Sequence, residues 1–157
     1  MSNSITRLGK LTAMVLLGTA MCLTACKKDK KDPDPEPTKK ELLANKWTVS
    51  DVLAPNGSSV INLDLDQIKC LKDNIFTIAS NDTYTIDEGT VVCDPSSAGS
   101  GTWKLTENDS KLTFTPNGGG DPLVFTLIDV NSTTLKVSYE ITDIILPGTY
   151  TIILKKQ

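Results

Sequence analysis

Gly101-Thr102-Trp103-Lys104-Leu105-Thr106-Glu107-Asn108-Asp109-Ser110-Lys111-Leu112-Thr113-Phe114-Thr115 is the stretch whose reading decides the fold. Trp103 and Leu105 alternate with Thr102, Lys104 and Thr106. Leu112 and Phe114 alternate with Lys111, Thr113 and Thr115. Side chains on a strand point to opposite faces with period two, so each half is a strand with one apolar face. Asn108-Asp109-Ser110 between them is turn chemistry. Together they predict a hairpin whose greasy face must be covered by something else.

The same pattern repeats outward in both directions. Upstream, Trp47, Val49 and Leu53 fall on one parity, followed by Phe76 with Ile78 and by Tyr84 with Ile86. Downstream come Leu123, Phe125 and Leu127, then Leu135, Val137, Tyr139 and Ile141, then Tyr150, Ile152 and Leu154. Turn residues separate these runs at Asn81-Asp82, Asn117 to Gly120, Asn131-Ser132 and Pro147-Gly148. Trp47, Phe76, Tyr84, Trp103, Phe114, Phe125, Tyr139 and Tyr150 fall one to each segment, all on the apolar parity. Successive antiparallel strands with one apolar face build a meander, and about eight can close into an up-and-down barrel without free edges. The rival is an immunoglobulin-like sandwich, which wants two distant cysteines with a tryptophan between them. Cys70 and Cys93 are close in sequence and enclose no tryptophan. An all-β, eight-stranded antiparallel barrel is therefore the expected fold. Thr38 followed by Glu41 has the form of a capping box, so a short helix should precede the first strand.

The amino terminus carries an address. Arg7 and Lys10 precede an apolar run that ends in Leu23-Thr24-Ala25-Cys26. Two cations, a short greasy segment and small residues before a cysteine describe a bacterial export signal whose cysteine is then acylated. Residues 11–23 are too short for a membrane span, which needs roughly 20 apolar residues. The expected organisation is a lipoprotein signal over 1–25, a lipid-anchored linker over 26–40 and a barrel domain over 41–157. Lys, Asp and the alternating Pro33, Pro35 and Pro37 make the linker an extended, solvated spacer. The expected location is the bacterial cell envelope, with Cys26 holding the protein to the outer membrane.

Composition narrows the chemistry. The 157 residues hold 16 Lys+Arg and 19 Asp+Glu, for a net charge of −3. Arg7 is the only arginine, it leaves with the signal, and there is no histidine. The mature chain thus lacks the fork that grips phosphate and the usual neutral-pH acid–base group. Nucleic acid is not an expected partner. Asp64, Asp66, Asp87, Glu88 and Asp94 match no calcium loop and read as solvated loop acids. No enzyme activity, cofactor or metal is expected, and a monomer is.

Cys70 and Cys93 remain after the signal and Cys26 are set aside. An oxidising compartment favours one disulfide, with two free thiols or a metal site as the alternatives. They are equidistant from Asn81-Asp82, so a two-residue turn there would set them opposite each other. That register puts Phe76 and Ile78 on the face opposite Tyr84 and Ile86, whereas the apolar pattern requires a three-residue turn. A bulge near residues 87–92 is the predicted reconciliation.

With Leu42, Asn45-Lys46-Trp47, Gly101-Thr102-Trp103 and the spacing of Cys70, Asp73, Phe76, Tyr84, Gly89 and Cys93 in place, the chain resembles the lipocalin-like domains of Gram-negative bacterial lipoproteins. The resemblance covers residues 40–157. It implies that Trp47 plugs the closed end of the barrel while the open end admits a small apolar ligand. It also implies a cation over the tryptophan, for which only Lys155 or Lys156 is at hand, and Asn45 stands where a glycine is usual. The expected function is a membrane-anchored binding barrel lined by the eight aromatics named above. The alternative is a surface module for a protein or glycan, with a filled core and the apolar run Ile144-Ile145-Leu146-Pro147 as its contact.

Overall fold

The computed structural model describes residues 34–64, 66–142 and 147–157. Signal, Cys26 and most of the spacer lie outside the described residues, as do Ile144, Ile145 and Leu146 of the apolar run.

Helix α1 (Lys39–Leu43) starts where the capping box places it. The Thr38 hydroxyl accepts from the Glu41 amide, and the Glu41 carboxylate accepts from the Thr38 amide at 2.7 Å. The Thr38 amide and hydroxyl hold the Glu41 carboxyl below the usual carboxylate range. Lys39 and Lys40 belong to this helix, as the capping box implies, and contact the barrel. Lys40 pairs with Asp82 at 2.6 Å, and the Lys39 ammonium donates to the Asp109 carbonyl at 3.2 Å.

Eight antiparallel strands follow: β1 (Lys46–Leu53), β2 (Ile75–Ile78), β3 (Thr83–Asp87), β4 (Gly99–Thr106), β5 (Lys111–Pro116), β6 (Leu123–Val130), β7 (Thr134–Ile141) and β8 (Gly148–Lys156). Each pairs with the next, and β8 pairs back onto β1, closing the barrel. A short helix, α2 (Asp66–Lys69), lies in the β1–β2 connection and was not foreseen from sequence.

Two β-bulges change the parity. Ser50 is an extra residue between Val49 and Asp51, and Ile128 one between Leu127 and Asp129. A bulge moves every later side chain to the other face. Val52 is therefore buried where the strict alternation expected Leu53, and Ile128 is exposed. The bulge predicted near residues 87–92 does not form. Ile78 pairs with Tyr84 and Phe76 with Ile86, the register of the three-residue turn. Asp82 takes a left-handed φ of 65° there, and the Asn81 side chain accepts from the Thr83 amide. Strand β3 ends at Asp87, so the one-residue mismatch with the cysteine spacing is absorbed in loops beyond the ladder. Cys70 and Cys93 form a disulfide with their Cα atoms 5.2 Å apart.

The two ends of the barrel differ. The β2–β3 and β4–β5 turns lie at the end where α1 sits, as the Lys40–Asp82 and Lys39–Asp109 contacts show. Leu43 and Trp47 are fully buried there. The Trp47 indole N–H donates to the Leu43 carbonyl at 2.9 Å, so the helix holds the tryptophan. Lys155 and Lys156 are exposed, and the cation expected over Trp47 is replaced by this backbone contact. The opposite end carries the longer connections, residues 54–74 and 88–98, tied together by the disulfide.

Candidate functional site

Between the two ends lies a cavity of about 250 Å3. Trp47, Val49, Leu154 and Ile152 wall it from β1 and β8, Phe76, Ile78, Tyr84 and Ile86 from β2 and β3. Leu112, Phe114, Leu123, Phe125, Leu135 and Val137 complete the wall from β5, β6 and β7. Leu71 and Ser97 reach it from the loops at the disulfide end. No charged side chain faces it among the described residues. Eight strands give an interior just wide enough to be filled by side chains or to hold one small ligand, and here space remains.

Five of the eight expected lining aromatics are on this wall: Trp47, Phe76, Tyr84, Phe114 and Phe125. Three are not. Trp103 is buried toward the α1 end, where its indole N–H donates to the Ala79 carbonyl at 2.8 Å and the Lys40 ammonium sits 5.9 Å from its ring centre. Tyr139 and Tyr150 are cross-strand partners, both half-buried, near the ends of β7 and β8 that face the other way. Inward parity selects a face of the strand; the level along the barrel axis decides whether that side chain meets the cavity.

An arc of rings runs around one side of the interior. Tyr84 meets Phe114 edge-on at 5.0 Å, Phe114 meets Phe125 at 5.9 Å, and Phe125 meets Tyr139 at 5.1 Å. The first two contacts are edge-to-face, which aligns the positive rim of one ring with the negative face of the next, and the third is tilted at 42°. The arc crosses β4 at Gly101, which pairs with Tyr84. A Cβ at Gly101 would lie 2.7 Å from Tyr84 Cε1 and would overlap the Thr115 carbonyl oxygen. Glycine is therefore required by close approach, which the Gly101-Thr102-Trp103 motif could not show on its own.

The loops near Ser97 are held by carboxylates. Glu88, expected as a solvated acid, is buried. Its carboxylate accepts from the Ser96 hydroxyl at 2.5 Å, from the Ser97 amide at 2.7 Å, from the Ser97 hydroxyl at 2.9 Å and from the Cys93 amide at 3.2 Å. Buried Asn74 donates to the same Ser97 hydroxyl at 3.2 Å. Asp73 accepts from the Thr90 amide, the Thr90 hydroxyl and the Val91 amide at 2.7, 2.9 and 3.0 Å. The spacing of Asp73, Gly89 and Cys93 is thus a loop clamp: Gly89 has φ 65°, and a Cβ on it would strike the Asp73 carboxylate.

Hydrogen bonds to the ionised form favour it. The Ser96 hydroxyl and the Ser97 amide, the two strongest contacts, bring the Glu88 carboxyl down to about 2 from its ordinary 4.5. The Thr90 and Val91 amides lower Asp73 as well. A depressed carboxyl stabilises the fold above its unfolded pKa and loses that contribution as pH falls through the folded value. Stability should therefore fall between pH about 4.5 and about 2. In a Glu88→Gln variant, melting temperature followed across that window should vary less steeply, with Asp73 and Glu41 contributing to the slope that remains. An unchanged slope would remove Glu88 from this role.

A closed eight-stranded barrel with a tryptophan plug and an internal apolar space is the arrangement the sequence resemblance implied. A family model described as a lipocalin-like domain matches residues 43–137. The chain belongs to the lipocalin-like domain family. Among solved structures, this lipocalin-like domain is similar to a lipocalin-like protein from Bacteroides uniformis ATCC 8492, at 13% identity and a TM-score of 0.47, covering 74% of this chain and 99% of that one. No curated protein matches it. The family match ends within β7, while the barrel closes through β8, so the last strand completes the lipocalin-like fold beyond the matched region.

Proposed function

We propose that this protein is a lipid-anchored, monomeric lipocalin-like lipoprotein of the bacterial cell envelope that holds one small apolar molecule in its barrel and catalyses nothing. The apolar cavity of about 250 Å3 carries this reading. Protein interiors hold few voids larger than a water molecule, because lining atoms beside empty space lose their dispersion contacts. A cavity of this size and apolarity at the centre of the fold is space suited to a ligand. It lies just below the range of roughly 300–1,000 Å3 common for drug-sized ligands, so the occupant is small. The filled-core alternative is the weaker reading for the same reason. Support for the anchor is the Leu23-Thr24-Ala25-Cys26 motif, since acyl chains contribute about 0.8 kcal/mol per buried methylene.

The test uses the full chain carrying Cys26→Ser, which cannot be acylated. It should take up 1-aminoanthracene at one site with a rise in fluorescence. Val137→Trp, which fills the space from β7, should abolish uptake while keeping the far-UV circular dichroism of the barrel. Failure of the parent chain to take up the probe, with no molecule released on organic extraction, would sink the container reading. Labelled palmitate should enter the native chain and not the Cys26→Ser chain.

A further inference from the structure

The charges of the barrel are sorted by end. At the closed end, Lys46 of β1, Lys155 of β8 and Lys136 of β7 lie on the outward parity of three adjoining strands, because Trp47, Leu154, Leu135 and Val137 take the buried one. Lys155 pairs with Thr48 on one side and Thr134 on the other, which makes it the diagonal neighbour of both Lys46 and Lys136. Diagonal neighbours stand about 7–8 Å apart. Lys156, opposite Trp47, adds a fourth ammonium at the same end. All four lysines are exposed, and none makes an ion pair among the described residues. Asp129 is the acid in register with them, opposite Lys136. The disulfide end has the reverse character. Asp87, Asp94 and Asp121 are exposed there and make no ion pair among the described residues, while Asp64 pairs with Lys69.

We propose that the Lys46, Lys155, Lys156 and Lys136 surface docks on anionic phospholipid headgroups, so that the anchored barrel stands closed end down on its bilayer and the disulfide end points away. The inference rests on acylation of Cys26 and adds to it the orientation of the domain. Three features support it. The chain enters the domain at this end, since α1 leads directly into Lys46, and the preceding segment brings Lys27, Lys28, Lys30 and Lys31 along the same approach. Charge is complementary: each lysine close to an anionic bilayer contributes about a fivefold preference, and the neighbouring ammonium groups, which repel one another, are relieved by it. The same surface repels Asp87, Asp94 and Asp121, so both ends favour one orientation. A tether holds the domain at high effective concentration beside the bilayer, and a preference of this size is then enough to orient it. The rival orientation is mouth down, with the exposed Leu63, Val91 and Val92 inserted into lipid.

The chain supplies its own reporters, because both of its tryptophans, Trp47 and Trp103, lie at the closed end. The native acylated chain is reconstituted on vesicles of phosphatidylcholine alone or mixed with phosphatidylglycerol, each doped with a phosphatidylcholine spin-labelled on its headgroup. Tryptophan quenching by the label should be stronger on the anionic vesicles. In about 1 M NaCl, where the Debye length is about 3 Å, it should fall back to the neutral value. A Lys46→Glu, Lys155→Glu, Lys156→Glu variant should lose the charge-dependent part while keeping the far-UV spectrum of the barrel. Equal quenching on both vesicles, or a variant that behaves as the parent, overturns the proposal. Quenching absent from both while the chain floats with the vesicles means the mouth-down orientation and overturns it as well. Flotation separates the two readings. A chain that does not float with neutral vesicles strikes the anchor, and this inference with it; one that floats but is indifferent to lipid charge strikes only the docking surface.

Discussion

Replacing Trp47 by alanine should destabilise the barrel by about 3–5 kcal/mol, the range for removing a large buried aromatic. The indole is fully buried against α1, and its N–H is tied to the Leu43 carbonyl. Truncation opens a void at the closed end and removes one of the two donors to the Leu43 carbonyl, which keeps the Asn45 amide at 2.8 Å. Because whole domains are stable by only about 5–15 kcal/mol, a loss of this size consumes a large part of the total. Equilibrium urea unfolding reads it directly. Trp47→Phe separates the two costs: it keeps most of the ring volume and loses only the indole hydrogen bond, so its effect should be about 0.5–1.5 kcal/mol. If Trp47→Ala unfolded at the same urea concentration as the parent, the plug would have no role in holding this end shut.

Removal of the disulfide has the second large effect. Cys70 and Cys93 are separated by 23 residues, and opening a loop of that size should cost roughly 3 kcal/mol on the chain-entropy model. The bond joins the 54–74 connection to the 88–98 loop, beside Leu71 and Ser97 of the cavity wall. It lies outside the ladder, since β2 starts at Ile75 and β3 ends at Asp87. A Cys70→Ser, Cys93→Ser double variant should therefore lose stability without losing strand content. The expected result is a lower melting temperature with an unchanged far-UV spectrum at low temperature. A spectrum that changes along with stability would mean the sheet itself depends on the bond. Glu88 and Asp73 clamp the same loops, so their effects should not be additive with the disulfide's.

The agreement between sequence and structure follows the physics of strands. Alternation over Leu135 to Ile141 or Lys111 to Thr115 is a local property of the chain, and one-sided burial enforces it. The helix cap at Thr38 and the three-residue turn at Asn81-Asp82 were legible for the same reason: short-range hydrogen bonds write them into residue choice. The bulges at Ser50 and Ile128 were not legible. Closing a barrel fixes how neighbouring strands stagger, and the extra residue is placed where the whole ring needs it. Glu88 was misread because a loop acid looks alike in sequence whether water or four protein donors surround it. Trp103, Tyr139 and Tyr150 were assigned to the lining by parity, which carries no information about height along the axis.

By itself the sequence determined the strand order, the inward face of the strands up to the two bulges and the helix that opens the domain, because each depends on neighbours a few positions away, and its composition the absence of histidine. Only the tertiary structure decided that the core is hollow, that Tyr84 lies against Gly101 on its wall, and which aromatics meet the space. Those outcomes depend on distances between residues far apart in the chain, and no local pattern encodes the gap that remains after eight strands have closed.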